Sequence, residues 1–378
     1  MRFALQTFRR WFPVFALVAV NASVSSADVV TFGSGSNTFT LTFEAVEDPG
    51  NAADSTGYGA VDYSFGMSRY EITERMIDVY NADSMNALFP IAYDAVGRGP
   101  NKPATSITWN EAARFVNWLN VSKGYGVAYY FPNSNGTNIM PWAPEQIQEY
   151  QETNPYRSKQ AVYVLPAIDE WFKAAYYDPA RNAGAGGYWN YAVQTDSAPV
   201  STQAGTAAGT AVHGHGVNGS PADVDSAGGL SAYGVMAMTG NAWEWTESPK
   251  NGRYSNGGSD RGFVGGSWAD MNVEHFRRDQ VIYYSPGMNL DQGGFRVVSL
   301  VDFTSGGGGF APLGGTAVPE PGICALCGTL SLAAAWRKMS FRKESRRRSD
   351  RLMQSVAVLC TLLAERPFDG NTSFNCRA

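Results

Sequence analysis

The chain has 378 residues, 44% hydrophobic and 13% aromatic, with a formal net charge of −5. The charge is unevenly placed: residues 28–317 hold 29 Asp plus Glu against 16 Lys plus Arg, and residues 318–378 hold 10 basic and 5 acidic side chains, so the acidic body disfavours nucleic acid and anionic lipid as partners and suits cations. All four cysteines, Cys324, Cys327, Cys360 and Cys376, lie in the tail, which excludes disulfides from the body and leaves its stability to packing and bound ions.

The N-terminus carries Arg2, Arg9 and Arg10, then an apolar run over residues 11–20, then Ser25-Ser26-Ala27, the order of an export signal with a small-residue cleavage site. The run is about half the length a membrane span requires. Residues 1–27 are therefore predicted to be a signal peptide. Residues 29–46 alternate apolar and polar around Gly33-Ser34-Gly35 and predict a β-hairpin. Asp48-Pro49-Gly50-Asn51 and Ser55-Thr56-Gly57-Tyr58-Gly59 predict turns. Residues 65–73 read as a strand entering a helix capped by Thr73, with Met76, Ile77 and Tyr80 on its inner face. The clearest helix starts at Thr108, which has capping-box spacing to Glu111, with Ala112, Phe115, Val116 and Leu119 on one face. A second covers residues 167–176, with Ile168, Trp171, Phe172 and Ala175 inward and no capping side chain at Ala167. Residues 200–232, rich in Gly, Ala, Ser and Thr and carrying His213-Gly214-His215, predict a solvated loop. Eight Trp between Trp109 and Trp268, with many Gly, predict short elements and ordered loops whose gaps are filled by indoles.

The tail has its own pattern. Val318-Pro319-Glu320-Pro321 precedes an uncharged stretch over 322–336, then Arg337, Lys338, Arg342, Lys343, Arg346, Arg347 and Arg348. Pro-Glu-Pro, a short apolar helix and a basic stop resemble the PEP-CTERM sorting signal of Gram-negative bacteria. The resemblance implies a transmembrane segment at 322–336 held transiently in the inner membrane, the basic cluster on the cytoplasmic side. It also implies cutting by an exosortase-type protease, with the body delivered to the cell surface or beyond. Cys324 and Cys327 fall inside the apolar stretch and read as small buried residues. The expected organisation is a signal peptide (1–27), a body (28–303), a Gly-rich linker (304–317), a sorting segment (318–348) and an unassigned tail (349–378).

Within the body, Met67 to Thr73 reads Met-Ser-Arg-Tyr-Glu-Ile-Thr. It is followed by Ile107-Thr108-Trp109 with Asn117-Trp118-Leu119, then Leu165-Pro166 with Glu170-Trp171. Gly234-Val235, Gly240-Asn241-Ala242-Trp243-Glu244-Trp245, Gly265-Gly266-Ser267-Trp268 and Gly294-Phe295-Arg296 complete the series. In this order the segments resemble the formylglycine-generating enzyme, or sulfatase-modifying factor, family over about residues 30–300. The resemblance implies an α+β fold, a variant of the C-type lectin fold with few helices, twisted antiparallel strands and much irregular chain. Family enzymes oxidise a client cysteine to formylglycine with copper held by two cysteines just after Gly-Gly-Ser. Those positions fall here on Asp270 and His275, which do not replace a pair of soft thiolates for copper(I). The bland alternative is a solvated pair, or a salt bridge with Arg277 or Arg278. Family calcium ligands correspond to the carbonyls of Gly240 and Ala242 and the carboxylate of Glu244, oxygen donors that suit a hard ion. A further carboxylate position is Ala237 here, and Asp223 or Asp225 are candidates for a second calcium site. The alternative for Asn241 and Glu244 is satisfaction of buried backbone groups. Trp243, Trp245 and Trp268 read as core, and Arg296 as a buried arginine paired with a carboxylate. The expected ligand cleft comprises Ser267, Trp268, Asp270 and His275. Two roles stay open: a surface binding module for peptide, glycan or matrix, without the copper oxidase reaction, or an enzyme using another metal or none.

Overall fold

The computed structural model describes residues 27–301 apart from 87, 95–97, 134–135, 148–153 and 251–257. The predicted signal peptide, linker, sorting segment and tail lie outside these, as do the two apolar stretches at 11–20 and 322–336. Among the described residues no helix is long and apolar enough to cross a membrane.

Among the described residues, thirteen strands and three principal helices follow in chain order: β1 (Asp28–Ser34), β2 (Asn37–Val46), β3 (Phe65–Ser68), α1 (Glu74–Ala82), α2 (Trp109–Ser122), β4 (Tyr163–Val164), α3 (Ile168–Tyr176), β5 (Tyr177–Asp178), β6 (Gly187–Tyr188), β7 (Val200–Ser201), β8 (Thr210–Ala211), β9 (Trp243–Pro249), β10 (Arg261–Val264), β11 (Ile282–Tyr284), β12 (Gly293–Gly294) and β13 (Val298–Ser299). Short antiparallel strands, few helices and long ordered connections make this the α+β, C-type-lectin-like architecture expected.

The hairpin forms as the alternation predicts, with Val30, Phe32, Phe39, Leu41 and Phe43 turned inward and Phe32 stacked on Phe39 at 5.6 Å. Its turn sits one residue later than the Gly33-Ser34-Gly35 centre suggested, at Gly35-Ser36. Gly33 serves the close pairing instead: its φ is +92°, and a Cβ there would lie 2.3 Å from the Asn37 carbonyl oxygen. The first sheet runs β1-β2-β3-β13-β4, so the last strand is inserted between strands from the first half of the body. That closes the chain into a loop. α1 and α2 cover this sheet, with Phe115 and Trp118 of α2 packed on Phe39 and Tyr80. Thr108 and Glu111 form both halves of the capping box, at 3.2 and 2.9 Å, and Thr73 caps α1 by accepting from the Met76 N–H at 3.3 Å.

The second sheet runs β11-β10-β9-β12, antiparallel except that β12 pairs with β9 in parallel. Every residue of β9 is buried, and α3 packs against it. The two ends of the body are stitched together through indoles: Trp109 Nε1 donates to the Thr246 carbonyl at 3.0 Å and Trp245 Nε1 to that of Ile107 at 2.8 Å. The cap that Ala167 lacks comes from two other residues. Glu170 accepts from the Ala167 N–H at 2.6 Å, and the Ser248 hydroxyl of β9 accepts from the Ile168 N–H at 2.9 Å. Ser248→Ala should therefore cost about 1 kcal/mol, the value of a helix N-cap, although Ser248 belongs to a strand. Chemical denaturation would show it as a lower midpoint with an unchanged slope.

Residues 200–232 are not the freely solvated loop that composition suggests. β7 and β8 pair, and His213 is buried with its ring 4.9 Å from that of Phe276 and its Nε2 3.3 Å from the Pro199 carbonyl. Burial holds its imidazole below the ordinary histidine pKa.

Candidate functional site

The Gly240 to Trp245 motif begins with backbone that few residues tolerate. Gly240 and Asn241 have φ of +76° and +64°, and a Cβ on Gly240 would stand 2.4 Å from the Val212 carbonyl oxygen. Asn241 holds this turn from four directions. Its N–H donates to the Val212 carbonyl (2.9 Å), its carbonyl accepts from the Trp268 N–H (2.9 Å), its Oδ1 accepts from the Ala222 N–H (2.8 Å), and its Nδ2 donates to Glu71 (2.7 Å). The expectation that Asn241 satisfies buried backbone is met.

Glu244 does something else. Arg296 grips it through two hydrogen bonds, Nε to Oε2 and Nη2 to Oε1, both 2.6 Å, and Trp171 Nε1 adds a third to Oε2 at 2.7 Å. Arg296 also donates to the carbonyls of Ser68 and Met236, each at 2.9 Å, so its expected role as a buried structural arginine holds. Both Glu244 oxygens thus face a cation that belongs to the chain. At the position where the resemblance places a further carboxylate, Ala237 stands with φ +60°. Asp223 pairs with Lys102 at 3.0 Å. This donor set does not fit a calcium ion at Gly240, Ala242 and Glu244, and among the described residues no three His, Cys, Asp or Glu are grouped to hold a metal.

Beside the pair lies Glu71, which sequence patterning did not single out. Its oxygens accept from Asn241 Nδ2 and from the Ala242 N–H (3.0 Å), and it is fully buried. Burial, then the neighbouring Glu244 carboxylate, push its pKa up to about 8, against the opposing pull of Arg296 and the two hydrogen bonds. Two carboxylates thus lie near one guanidinium, and Glu71, the one Arg296 does not grip, has its pKa raised. The only sequence signal for Glu71 was its place in Tyr70-Glu71-Ile72-Thr73.

The second motif passes close to the first. Gly265 and Gly266 have φ of +94° and +73°, and a Cβ on Gly266 would run into the Phe276 ring at 2.2 Å. The sharp bend delivers Ser267 and Asp270 to one point. Asp270 Oδ2 accepts from Trp243 Nε1 (2.8 Å), the Ser267 N–H (2.8 Å) and the Ser267 hydroxyl (2.7 Å), while Oδ1 lies 2.6 Å from His275 Nδ1. The Asp270 and His275 side chains are 15% and 39% exposed. They form a partly solvated pair with each other and are not paired with the neighbouring arginines. Arg277 instead meets Glu274 and Asp279, and Arg278 meets Asp54.

The structure thus brings together Asp270, His275, Ser267 and Trp243, and keeps Glu244 apart in a different network. Ser267 and Trp268 are each 1% exposed, so these two members of the expected cleft support it from beneath. Trp243, Trp245 and Trp268 are core, as expected, though Trp243 also reaches Asp270 and lies 5.9 Å from the His275 ring. The Ser267 hydroxyl bonds to the carboxylate rather than to the imidazole, so the imidazole is not positioned to activate it. A carboxylate with three donors on one oxygen and an imidazole on the other does not fit copper(I), which prefers sulfur. A separate pocket of about 230 Å³, lined in part by Tyr80, Phe89, Arg114 and Trp118, contains none of the candidate site residues.

A profile of the Sulfatase-modifying factor enzyme 1-like domain matches residues 16–301. The structure is similar to Treponema denticola variable protein 1 (16% identity, 72% of this chain and 98% of that one, TM-score 0.48). It is also similar to CarF (21%, 73% and 99%, TM-score 0.46) and to PvdO from Pseudomonas aeruginosa (15%, 71% and 97%, TM-score 0.42). No curated protein matches the chain.

Proposed function

Since the chain belongs to the sulfatase-modifying factor enzyme 1-like domain family, we propose that it is an exported member that has lost the copper-dependent formylglycine-generating oxidase reaction and binds a peptide, glycan or matrix component at the cell surface. The observation that carries this reading is the state of Asp270 and His275. At the positions where the resemblance puts copper thiolates, the two side chains are committed to each other, and the body has no cysteine. The family's reaction needs the soft metal site that these residues do not supply. What remains is an indole-packed scaffold that presents a partly open polar pair at Asp270 and His275.

The export signal and the Pro-Glu-Pro segment support delivery to the surface, after processing by an exosortase-type protease and a transient stay in the inner membrane. Intact mass of the protein recovered from its native cells tests this: the reading predicts loss of residues 1–27 and a cut near Pro319-Glu320-Pro321. A mass that retains either end contradicts it. Binding is tested by presenting the protein to arrayed glycans and peptides. A saturable ligand supports the proposal, and turnover of a bound compound opposes it.

A second reading, an enzyme of the same family with altered or no metal, is favoured by the Asp270–His275 contact, because a carboxylate-held imidazole is a common proton acceptor. It predicts turnover that survives chelation and falls on His275→Gln.

A further inference from the structure

His275 is held as if one particular nitrogen were meant for solvent. Its Nδ1 lies 2.6 Å from Asp270 Oδ1, a distance at which the ring nitrogen must carry the proton and donate it to the carboxylate. Asp270 cannot turn to offer anything else, because Trp243 Nε1, the Ser267 N–H and the Ser267 hydroxyl all donate to its other oxygen. Those three donors are themselves fixed. Trp243 is stacked on Phe263 at 5.4 Å, with the rings 10° from parallel, and Ser267 is 1% exposed on a backbone bent by two left-handed glycines. The chain has three histidines. His213 is buried with its Nε2 on the Pro199 carbonyl, and both ring nitrogens of His215 are shielded from solvent, whereas the His275 side chain is 39% exposed.

We infer that Asp270 is a positioning residue that locks His275 in its Nδ1–H tautomer, so that Nε2 faces the ligand as a hydrogen-bond acceptor for a hydroxyl, amide N–H or thiol. The inference rests on the reading of this site as ligand-facing and names the chemistry recognised there. An unprotonated Nε2 accepts a neutral donor and offers nothing to an anion. The selectivity is therefore for polar, donor-bearing groups such as those of glycans and peptides.

The test is nitrogen-15 NMR of the full-length chain labelled at histidine, the His275 signals being identified by their absence in His275→Gln. In the neutral ring the proton is expected on Nδ1. An Nε2–H tautomer in the wild-type protein overturns the inference. Asp270→Asn supplies a readout that a merely structural role would not move. The three donors require an oxygen at the Oδ2 position, so the new amide group must point at His275 Nδ1 and donate to it. The tautomer then reverses, Nε2 becomes protonated, and the acceptor is lost. If Asp270→Asn folds and the tautomer stays Nδ1–H, Asp270 is not what sets it and the inference fails. Modification of the unaltered protein by diethyl pyrocarbonate, whose carbonyl carbon is attacked by an unprotonated ring nitrogen, gives an independent reading that needs no variant. His275 is expected to react ahead of His213 and His215, and its failure to do so contradicts an open Nε2. None of these readouts uses a ligand, copper or turnover, so failure of the binding reading and failure of this one are separable.

Discussion

Arg296→Met is expected to destabilise the protein by about 3–5 kcal/mol, the cost of removing one partner from a buried ion pair. The side chain is fully buried, and its loss strands the Glu244 carboxylate together with the Ser68 and Met236 carbonyls that Arg296 reaches. Trp171 Nε1 would remain as the donor to Glu244. A methionine of similar length fills the space but carries no donor, and water has no route to replace it at a site where every neighbour is buried. Because folded domains hold only about 5–15 kcal/mol in reserve, this one change should take a large share of the total. Urea denaturation measures it as a shift of the midpoint at constant slope. A loss below about 1 kcal/mol, the range of exposed ion pairs, would mean that Glu244 is not the charge Arg296 neutralises.

The second large effect belongs to Glu71 and appears as a pH dependence. Its pKa is raised from 4.5 to about 8 in the folded protein, by burial first and by Glu244 second. Below the unfolded value both states hold the proton and Glu71 leaves stability unchanged. As pH rises from there towards 8, the unfolded chain releases the proton while the folded one keeps it. Stability then falls by up to about 1.4 kcal/mol per pH unit, and the fall ends once the folded group also ionises. Glu247, Glu44 and Asp169 are raised too, chiefly by burial, and act in the same direction. The signature of Glu71 is therefore a difference. Denaturation midpoints collected between pH 4.5 and 8.5 should decline less steeply in Glu71→Gln than in the wild type. Parallel curves for the two proteins would show that Glu71 is ionised in the folded state over this range and that burial does not raise its pKa.

Both effects arise in a cluster that sequence reading reached only in part. Arg296 was expected to pair with a carboxylate, since a guanidinium inside an apolar Gly-Phe-Arg strand end has few other options, but the identity of that carboxylate was not legible. Glu244 lies 52 residues away, and the two readings open for it, a calcium ligand by resemblance or a partner for buried backbone groups, did not include an ion pair, because nothing local spoke for one. Glu71 and Asn241 are 170 residues apart, and no periodicity links them. The Ser248 cap on α3 was missed for the same reason: its acceptor comes from a strand 80 residues along the chain. Features encoded within one turn of chain were readable. The Thr108–Glu111 capping box, the hairpin alternation and the inward faces of α1 and α2 each rest on neighbours three or four residues away, or directly across a turn. His213 shows the limit most clearly. Its surroundings are Gly, Ala and Thr, which signal solvent, yet a ring from residue 276 covers it. Of the candidate site, the pairing of Asp270 with His275 is compatible with their spacing, but the three donors that fix the carboxylate are set by tertiary contact.

The oxygen and nitrogen pair at Asp270 and His275 is expected not to perform the thiolate-copper oxidation of the family. The direct measurement is incubation of the purified full-length protein with copper, oxygen and a synthetic peptide bearing one cysteine, with mass spectrometry of the peptide and metal analysis of the protein. The expected result is an unchanged cysteine and no stoichiometric copper after dialysis. Conversion of the cysteine to an aldehyde, with one copper retained per chain, would contradict it.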